Sequence, residues 1–272
     1  MNRKRFFLPT LLAVISLLTA FAAGCSNGAA PGSDKPLKLG VTAGPHAEVA
    51  EIVKKTAEKD GLKIEIVEFS DYVQPNAALS QGDIKANSFQ HQPYLDNVVK
   101  DRKFEIVSVA KTILFPMGIY SQKLKTMQDL PNGAVIAIPN DPTNGGRALL
   151  LLEKAGLLRL KEGIGHTATP TDIVSNPKNL RFKELDAAQI PRSLGDLDLA
   201  AINTNYAMTA GLLPTKDALL LEDGNSPYAN VIAVQTKDKN DPAIAKLIKA
   251  YQSPEVKAFV AEHFKGAAIA AW

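Results

Sequence analysis

The sequence predicts an α/β fold of two lobes, and two observations carry that expectation. From Leu37 onward, short apolar runs of β-branched character alternate with stretches of helical spacing. The alternation continues to Trp272, through about 236 residues, a length that suits two α/β lobes of ordinary domain size. Strand–helix alternation implies mostly parallel sheets. In such folds ligands gather where strand ends meet helix N-termini, and two-lobed versions place the site between the lobes.

The N-terminus reads as an address. Arg3, Lys4 and Arg5 precede an apolar run from Phe6 to about Ala23, then Ala22-Ala23-Gly24-Cys25. Basic residues, an apolar core and small residues before a cut make a secretory signal over residues 1–24. The alternative is a membrane-spanning helix, for which the run is marginal, since about 20 apolar residues are needed. Cys25 is the only cysteine. Its position resembles the bacterial lipobox, which makes it the expected lipidation site; Ala22 departs from the Leu preferred there. A free cysteine beside an ordinary cleavage site is the other reading. Ser26, where an Asp would suggest inner-membrane retention in enteric bacteria, leaves outer-membrane sorting open. Residues 25–36, rich in Gly, Pro, Ser and Ala, form the lipidated end and a flexible tether.

The elements then follow in order. Leu37–Val41 is a strand, Thr42–Pro45 a turn, and Ala47–Asp60 a helix with Val49, Ile52, Val53 and Ala57 at helical spacing. Glu51 and Lys55 form an i,i+4 pair, and Gly61 ends the helix. Lys63–Phe69 is a strand and Tyr72–Gln81 a helix. A strand–helix step spans Ala86 to Lys100, and Phe104–Lys111 and Met117–Ser121 are strands. In the second half, Ala134–Pro139 is a strand, Asn140–Gly145 a loop, and Gly146–Ala155 a helix closed by Gly156. Arg181–Leu185, Leu199–Ile202 and Asn230–Val234 are strands, and Thr204–Ala210 is a short helix. Pro242–Tyr251 and Pro254–Phe264 are helices, the latter with Ser253 as N-cap and Pro at the first position.

Composition excludes several classes. With 31 basic and 28 acidic residues the chain carries +3, too little and too scattered for a charge-driven nucleic-acid binder. All three charges before Cys25 are basic, so the chain after the signal is formally neutral. A single cysteine excludes a disulfide framework, a Cys-based zinc site and an iron–sulfur cluster. His46, His91, His166 and His263 lack ligand spacing, so no metal is expected. No Gly-x-Ser-x-Gly elbow, phosphate-binding Gly-rich loop or His-Glu-x-x-His is present, and neither an enzymatic activity nor a cofactor is expected.

Two constellations carry chemistry. In Pro139-Asn140-Asp141-Pro142-Thr143-Asn144-Gly145-Gly146-Arg147 a strand ends, a polar loop turns and a helix begins. Arg147 is expected in the first helical turn, where a cation opposes the helix dipole. Its planar fork matches a carboxylate; pairing with a nearby acid is the structural alternative. In Asn87-Ser88-Phe89-Gln90-His91-Gln92-Pro93-Tyr94, the rings of Phe89, His91 and Tyr94, with Tyr72 upstream, suit an apolar or thioether side chain. Ordinary core packing with a capping histidine is the alternative. Asn203 and Asn230 stand beside strands, as turn residues or as bridges to ligand ammonium and carboxylate groups.

DYVQPNAALSQGDIKANSFQHQPYLD, PNDPTNGGRALLLLEKAGL and SPYANVIAV, in that order, resemble the NlpA family of lipoproteins. That family includes the methionine-binding components of bacterial ABC importers. The resemblance spans about Leu37 to Trp272 and implies a type II periplasmic-binding-protein fold, with two lobes joined by two crossovers near Phe115–Ser121 and Tyr228–Thr236. It implies a first lobe of residues 37–116 and 236–272 and a second of residues 117–235. It places ligand-binding residues at Tyr72, Phe89, His91, Tyr94, Arg147, Asn203 and Asn230, with Arg147 taking the ligand carboxylate. The implied partners are methionine or a related zwitterion, a permease–ATPase complex, and the membrane through the lipid anchor in the cell envelope. A receptor for another amino acid, a dipeptide or a metal, and a surface or adhesion lipoprotein, stay open.

Overall fold

In the first sheet, β1 (Leu37–Thr42) sits between two parallel neighbours, and its residues from Leu39 to Thr42 are buried. The computed structural model describes residues 35–224 and 226–272; the signal segment, Cys25 and the tether as far as Asp34 lie outside them. Helix α1 (Pro45–Lys59) begins two residues earlier than its apolar spacing implies, because Pro45 fixes the first turn. It buries Val49, Ala50, Val53 and Ala57. The chain continues through β2 (Ile64–Phe69), α2 (Gln74–Gln81), β3 (Ala86–Asn87), α3 (Gln92–Arg102) and β4 (Ile106–Leu114). Tyr72 lies in a bend before α2 rather than in the helix.

After β4 the chain crosses into a second sheet. This holds β5 (Gly118–Tyr120), β6 (Val135–Pro139) and α4 (Pro142–Lys154), followed by a ribbon of β7 (Arg159–Leu160) and β8 (Ile173–Ser175). Then come β9 (Arg181–Leu185), α5 (Ile190–Ser193), β10 (Leu199–Ile202), α6 (Thr204–Thr209), α7 (Pro214–Asp217) and β11 (Leu220–Leu221). The ribbon, α5, α7 and β11 are additions to the sequence reading. Helix α4 starts four residues before the expected Gly146, since Asp141 caps it and Pro142 occupies its first turn. Arg147 therefore falls in the second turn, and the helix-dipole argument about it does not hold.

The return to the first sheet is β12 (Ala229–Gln235), followed by α8 (Pro242–Tyr251), α9 (Pro254–Phe264) and β13 (Ile269–Ala270). The first sheet has the order β13-β4-β12-β3-β1-β2, and the second β11-β5-β10-β6-β9. In each, the strand arriving from the other sheet lies antiparallel beside the third strand of its host, β12 against β3 and β5 against β10. The two lobes thus share one strand grammar with no sequence repeat. Both sheets are mixed: β1–β2, β1–β3, β6–β9 and β6–β10 run parallel, while the returning and edge strands run antiparallel. The expectation of mostly parallel sheets is corrected by these crossover strands.

β12 also moves a boundary. The sequence reading put residues to 235 in the second lobe, but β12 sits inside the first sheet. Ile232 and Val234 face the core under α1, α8 and α9, while Val231 and Ala233 face Leu79, Leu95 and Ile106 on the opposite side. A strand apolar on both faces belongs at a sheet's centre. Residues 115–117 and 222–228 therefore connect the sheets. Among the described residues, no helix is long and apolar enough to cross a membrane.

Candidate functional site

The cavity between the lobes grows out of the loops at the strand ends. It has about 350 Å³ of empty space, its opening to solvent included, and is lined by Tyr72, Phe89, His91, Tyr94 and Asn230 from the first lobe and Arg147 and Asn203 from the second. The structure thus brings together all seven residues singled out in the sequence. It adds His46, Gln90, Phe115, Asn144, Thr204 and Asn205 to the lining.

The aromatic wall is compact. Ring centroids of Tyr72 and Phe89 lie 5.8 Å apart, those of Tyr72 and Tyr94 5.9 Å, and those of Phe89 and Tyr94 6.2 Å, the last two edge-on. Tyr206, from the second lobe, adds a ring 4.8 Å from that of Tyr72. The Tyr94 hydroxyl donates to the Tyr72 carbonyl at 3.0 Å, which ties α3 to the bend before α2. Beneath Phe89, the amides of Asn76, Asn87 and Gln90 bond one another at 2.7–3.0 Å. Such a satisfied buried network fixes the loop that carries Phe89 and His91.

The polar wall is oriented by one carboxylate. Asp141 accepts from the Asn144 backbone N–H at 2.9 Å and from the Thr143 hydroxyl at 2.9 Å, the usual work of an N-cap. It also accepts from Asn144 Nδ2, at 3.1 and 2.9 Å. An ionised carboxylate only accepts, so the Asn144 amide nitrogen must face Asp141 and its oxygen must face the cavity. Asn144 Oδ1 then accepts from Asn203 Nδ2 at 2.8 Å and lies 3.1 Å from His91 Nε2.

His91 serves two of the readings at once. Its Nδ1 accepts from the Tyr94 backbone N–H at 3.1 Å, so it caps α3. That leaves the ring proton on Nε2, where it is donated to Asn144. Burial, with the nearby Arg147 charge, pushes the His91 pKa down to about 3, so the ring is neutral. His46 is likewise held down to about 3 by burial. Its Nε2 lies 3.0 Å from Asn230 Nδ2 and its Nδ1 2.8 Å from the Thr42 hydroxyl.

Arg147 is 3% exposed. Its Nε donates to Glu222 Oε1 at 3.1 Å, and its Nη2 donates to Glu222 Oε2 and to the Phe115 carbonyl at 2.9 Å. The ring of Tyr228 lies 4.3 Å from the guanidinium carbon. So the arginine does pair with an acid, as the structural reading of the sequence had it, and it also lines the cavity. Its Nη1 has no hydrogen-bond partner among the described residues.

Two further atoms define what the cavity can hold. Asn203 Oδ1 and Asn205 Nδ2 are fully buried without a hydrogen-bond partner. Asn203 spends its nitrogen on Asn144, and Asn205 spends its oxygen on the Tyr72 hydroxyl at 2.5 Å. The cavity therefore presents one committed acceptor and one committed donor beside a guanidinium. Sequence reasoning missed Asn144, Asn205 and Glu222. Asn144 was within reach, because Asp141 followed by Pro142 before an apolar run is a helix-start signal that puts Asn144 in the first turn; Glu222 lies 75 residues from Arg147 and left no local sign.

Known proteins resemble this chain along nearly its whole length. Residues 37–272 match the family described as NlpA lipoprotein. A D-methionine-binding lipoprotein MetQ of Salmonella typhimurium is 48% identical over 271 residues, covering 98% of this chain and 99% of that protein. Among solved structures, a nutrient-binding protein from Burkholderia cenocepacia bound to methionine superposes with TM-score 0.85 at 57% identity, covering 87% of this chain and all of that one. A periplasmic substrate-binding protein of an ABC transporter from Coxiella burnetii gives TM-score 0.84 at 52% identity, covering 86% and 100%.

Proposed function

This chain belongs to the NlpA lipoprotein family, and on that premise we propose that it is a substrate-binding lipoprotein that captures methionine between its lobes for an ABC importer. The observation that carries the reading is the pair of buried unpartnered atoms, Asn203 Oδ1 and Asn205 Nδ2, in a cavity that also holds Arg147. A buried polar atom without a partner costs roughly 1–3 kcal/mol. An α-amino acid relieves both costs at once. Its ammonium donates to Asn203 Oδ1, with Asn230 close by on the first lobe. Its carboxylate accepts from Asn205 Nδ2 and from the free Nη1 of Arg147. The thioether then falls among Tyr72, Phe89 and Tyr94, where each sulfur–ring contact adds roughly 0.3–1.5 kcal/mol.

Binding residues come from both lobes, so the ligand favours the closed arrangement over an open one. His91 to Asn144 and Tyr72 to Asn205 already join the lobes across the cavity. Both histidines at the site are neutral, which leaves ligand recognition to fixed dipoles and one paired guanidinium. We assign the first lobe to residues 37–114 and 229–272 and the second to residues 118–221. Cys25 carries the acyl chains that hold the domain at the membrane, and the permease–ATPase complex receives the ligand. The chain binds and releases methionine and performs no chemistry on it.

Native mass spectrometry of gently purified protein tests the reading. A bound mass equal to methionine, displaced by added D- or L-methionine, is the expected result. A different bound mass, or no exchange with either isomer, overturns it.

A further inference from the structure

Glu222 stands in the second connection between the lobes and is not among the residues that line the cavity. Yet it organises the cavity's one strong cation. Its two oxygens take the Nε and Nη2 edge of Arg147. Its Oε2 also accepts from the Met117 backbone N–H at 3.2 Å, and its own N–H donates to the Met117 carbonyl at 2.9 Å. The carboxylate is thus pinned to both connections, and it turns the guanidinium so that only Nη1 is left for a ligand.

We propose that Glu222 is a positioning and specificity-determining residue, which balances the charge of Arg147 so that the cavity accepts a net-neutral zwitterion and rejects an anion bearing the same carboxylate and thioether. This rests on the methionine reading given above. A buried guanidinium with no counter-charge would take any carboxylate, because an unpaired buried charge is costly. With Glu222 in place that charge is already met, and an incoming carboxylate must bring its own cation. Asp141, behind Asn144, and Asp71 and Asp186, which act on Tyr94, supply no positive charge, and Arg102, exposed at the far end of α3, is not a lining residue. His46 and His91 supply none either, being neutral by burial. Selection here works by disfavouring the wrong ligand as much as by holding the right one.

The test is calorimetry on the wild-type protein and on Glu222→Gln and Glu222→Asp, each titrated with L-methionine and with 4-(methylthio)butanoate, the same molecule without its ammonium. Wild type prefers methionine. In Glu222→Gln, whose amide keeps the shape and one acceptor, the ratio of the two dissociation constants moves toward the anion by roughly tenfold or more. Glu222→Asp keeps the charge and keeps the wild-type ratio even if both affinities drop. If the residue only braces the two connections, both ligands weaken in parallel in Glu222→Gln, and the proposal is overturned. A wild-type protein that binds the anion as tightly as methionine overturns it as well, with no need of a folded variant. A wild-type protein that binds neither ligand overturns the methionine reading, and this inference with it.

Discussion

His91 Nε2 lies 3.1 Å from Asn144 Oδ1, and this bond joins the two lobes through a neutral imidazole. Protonating the ring would put a second cation beside Arg147 and take the Nδ1 acceptor away from the Tyr94 N–H. Burial accordingly holds His91, and likewise His46, near pKa 3 rather than 6.5.

The pH dependence follows with a definite sign. Below pH 6.5 the unfolded chain binds protons at both histidines that the folded chain refuses. Stability is therefore fully present above pH 6.5 and is lost as pH falls toward 3. Each histidine contributes a slope of up to about 1.4 kcal/mol per pH unit in that window. The melting temperature of ligand-free protein should fall progressively between pH 6.5 and 4, and His46→Gln should flatten the fall. An equally steep decline in His46→Gln would remove that histidine from the account.

Arg147→Ala should weaken methionine binding by roughly a hundredfold or more, the scale of removing one partner from a buried charge pair. It should also lower the melting temperature without ligand, because Glu222 would keep a largely buried carboxylate with no cation. Arg147→Lys should recover part of the stability and little of the affinity, since an ammonium cannot serve Glu222, the Phe115 carbonyl and a ligand in one plane. Unchanged affinity in calorimetry of Arg147→Ala would refute its role.

The sequence was most legible where local chemistry decides. Helices α8 and α9 match their expected limits because Pro starts each one and a single apolar face carries each through. Helix α4 was read four residues short, since Asn144, Gly145 and Gly146 are weak helix formers. Tertiary packing and the Asp141 cap prevail there. β12 was found as a strand, but its place at the centre of the first sheet was not foreseen, because sheet membership is decided by partners more than a hundred residues away. All seven ligand-binding residues named from the sequence line the cavity, whereas Cys25 lies outside the described residues. The groups that aim them, Asn144 and Glu222, went unnoticed, since orientation comes from long-range bonds that residue type and spacing do not encode.

Asn205→Asp separates a donor from a mere filler. The substituted side chain keeps an oxygen for the Tyr72 hydroxyl at its present 2.5 Å. In place of the amide nitrogen it sets an acceptor with negative charge against the ligand carboxylate. Affinity for methionine should fall by roughly a hundredfold, while Asn205→Ala, which loses the donor and the acceptor of the Tyr72 hydroxyl but adds no charge, should cost roughly tenfold. If Asp binds as well as Ala in calorimetry, Asn205 Nδ2 does not face the carboxylate.

Cys25→Ala should abolish incorporation of labelled palmitate and release the protein from the membrane fraction. Acyl chains on Cys25, each methylene worth about 0.8 kcal/mol when buried, make a stable anchor together, whereas the domain has no membrane-spanning helix among its described residues to replace them. Continued labelling in the variant would refute the lipobox reading.

Gly146→Ala tests how the cavity's cation is placed. An added Cβ at Gly146 would stand 2.1 Å from the His166 carbonyl oxygen and 3.0 Å from the Ala168 nitrogen. Both are backbone atoms and cannot rotate away. Alanine's better helix propensity, about 1 kcal/mol, is opposed by an overpacking cost of roughly 1–3 kcal/mol or more for so close a contact. The helix has to shift away from the turn at residues 165–167, and Arg147, the very next residue, shifts with it. Both the melting temperature and methionine affinity should therefore drop, although residue 146 does not line the cavity. Gly156→Ala, in the loop beyond α4, should lower stability through its positive φ of 74° and leave affinity unchanged. If both variants lose stability and neither loses affinity, close packing of α4 is not what positions Arg147.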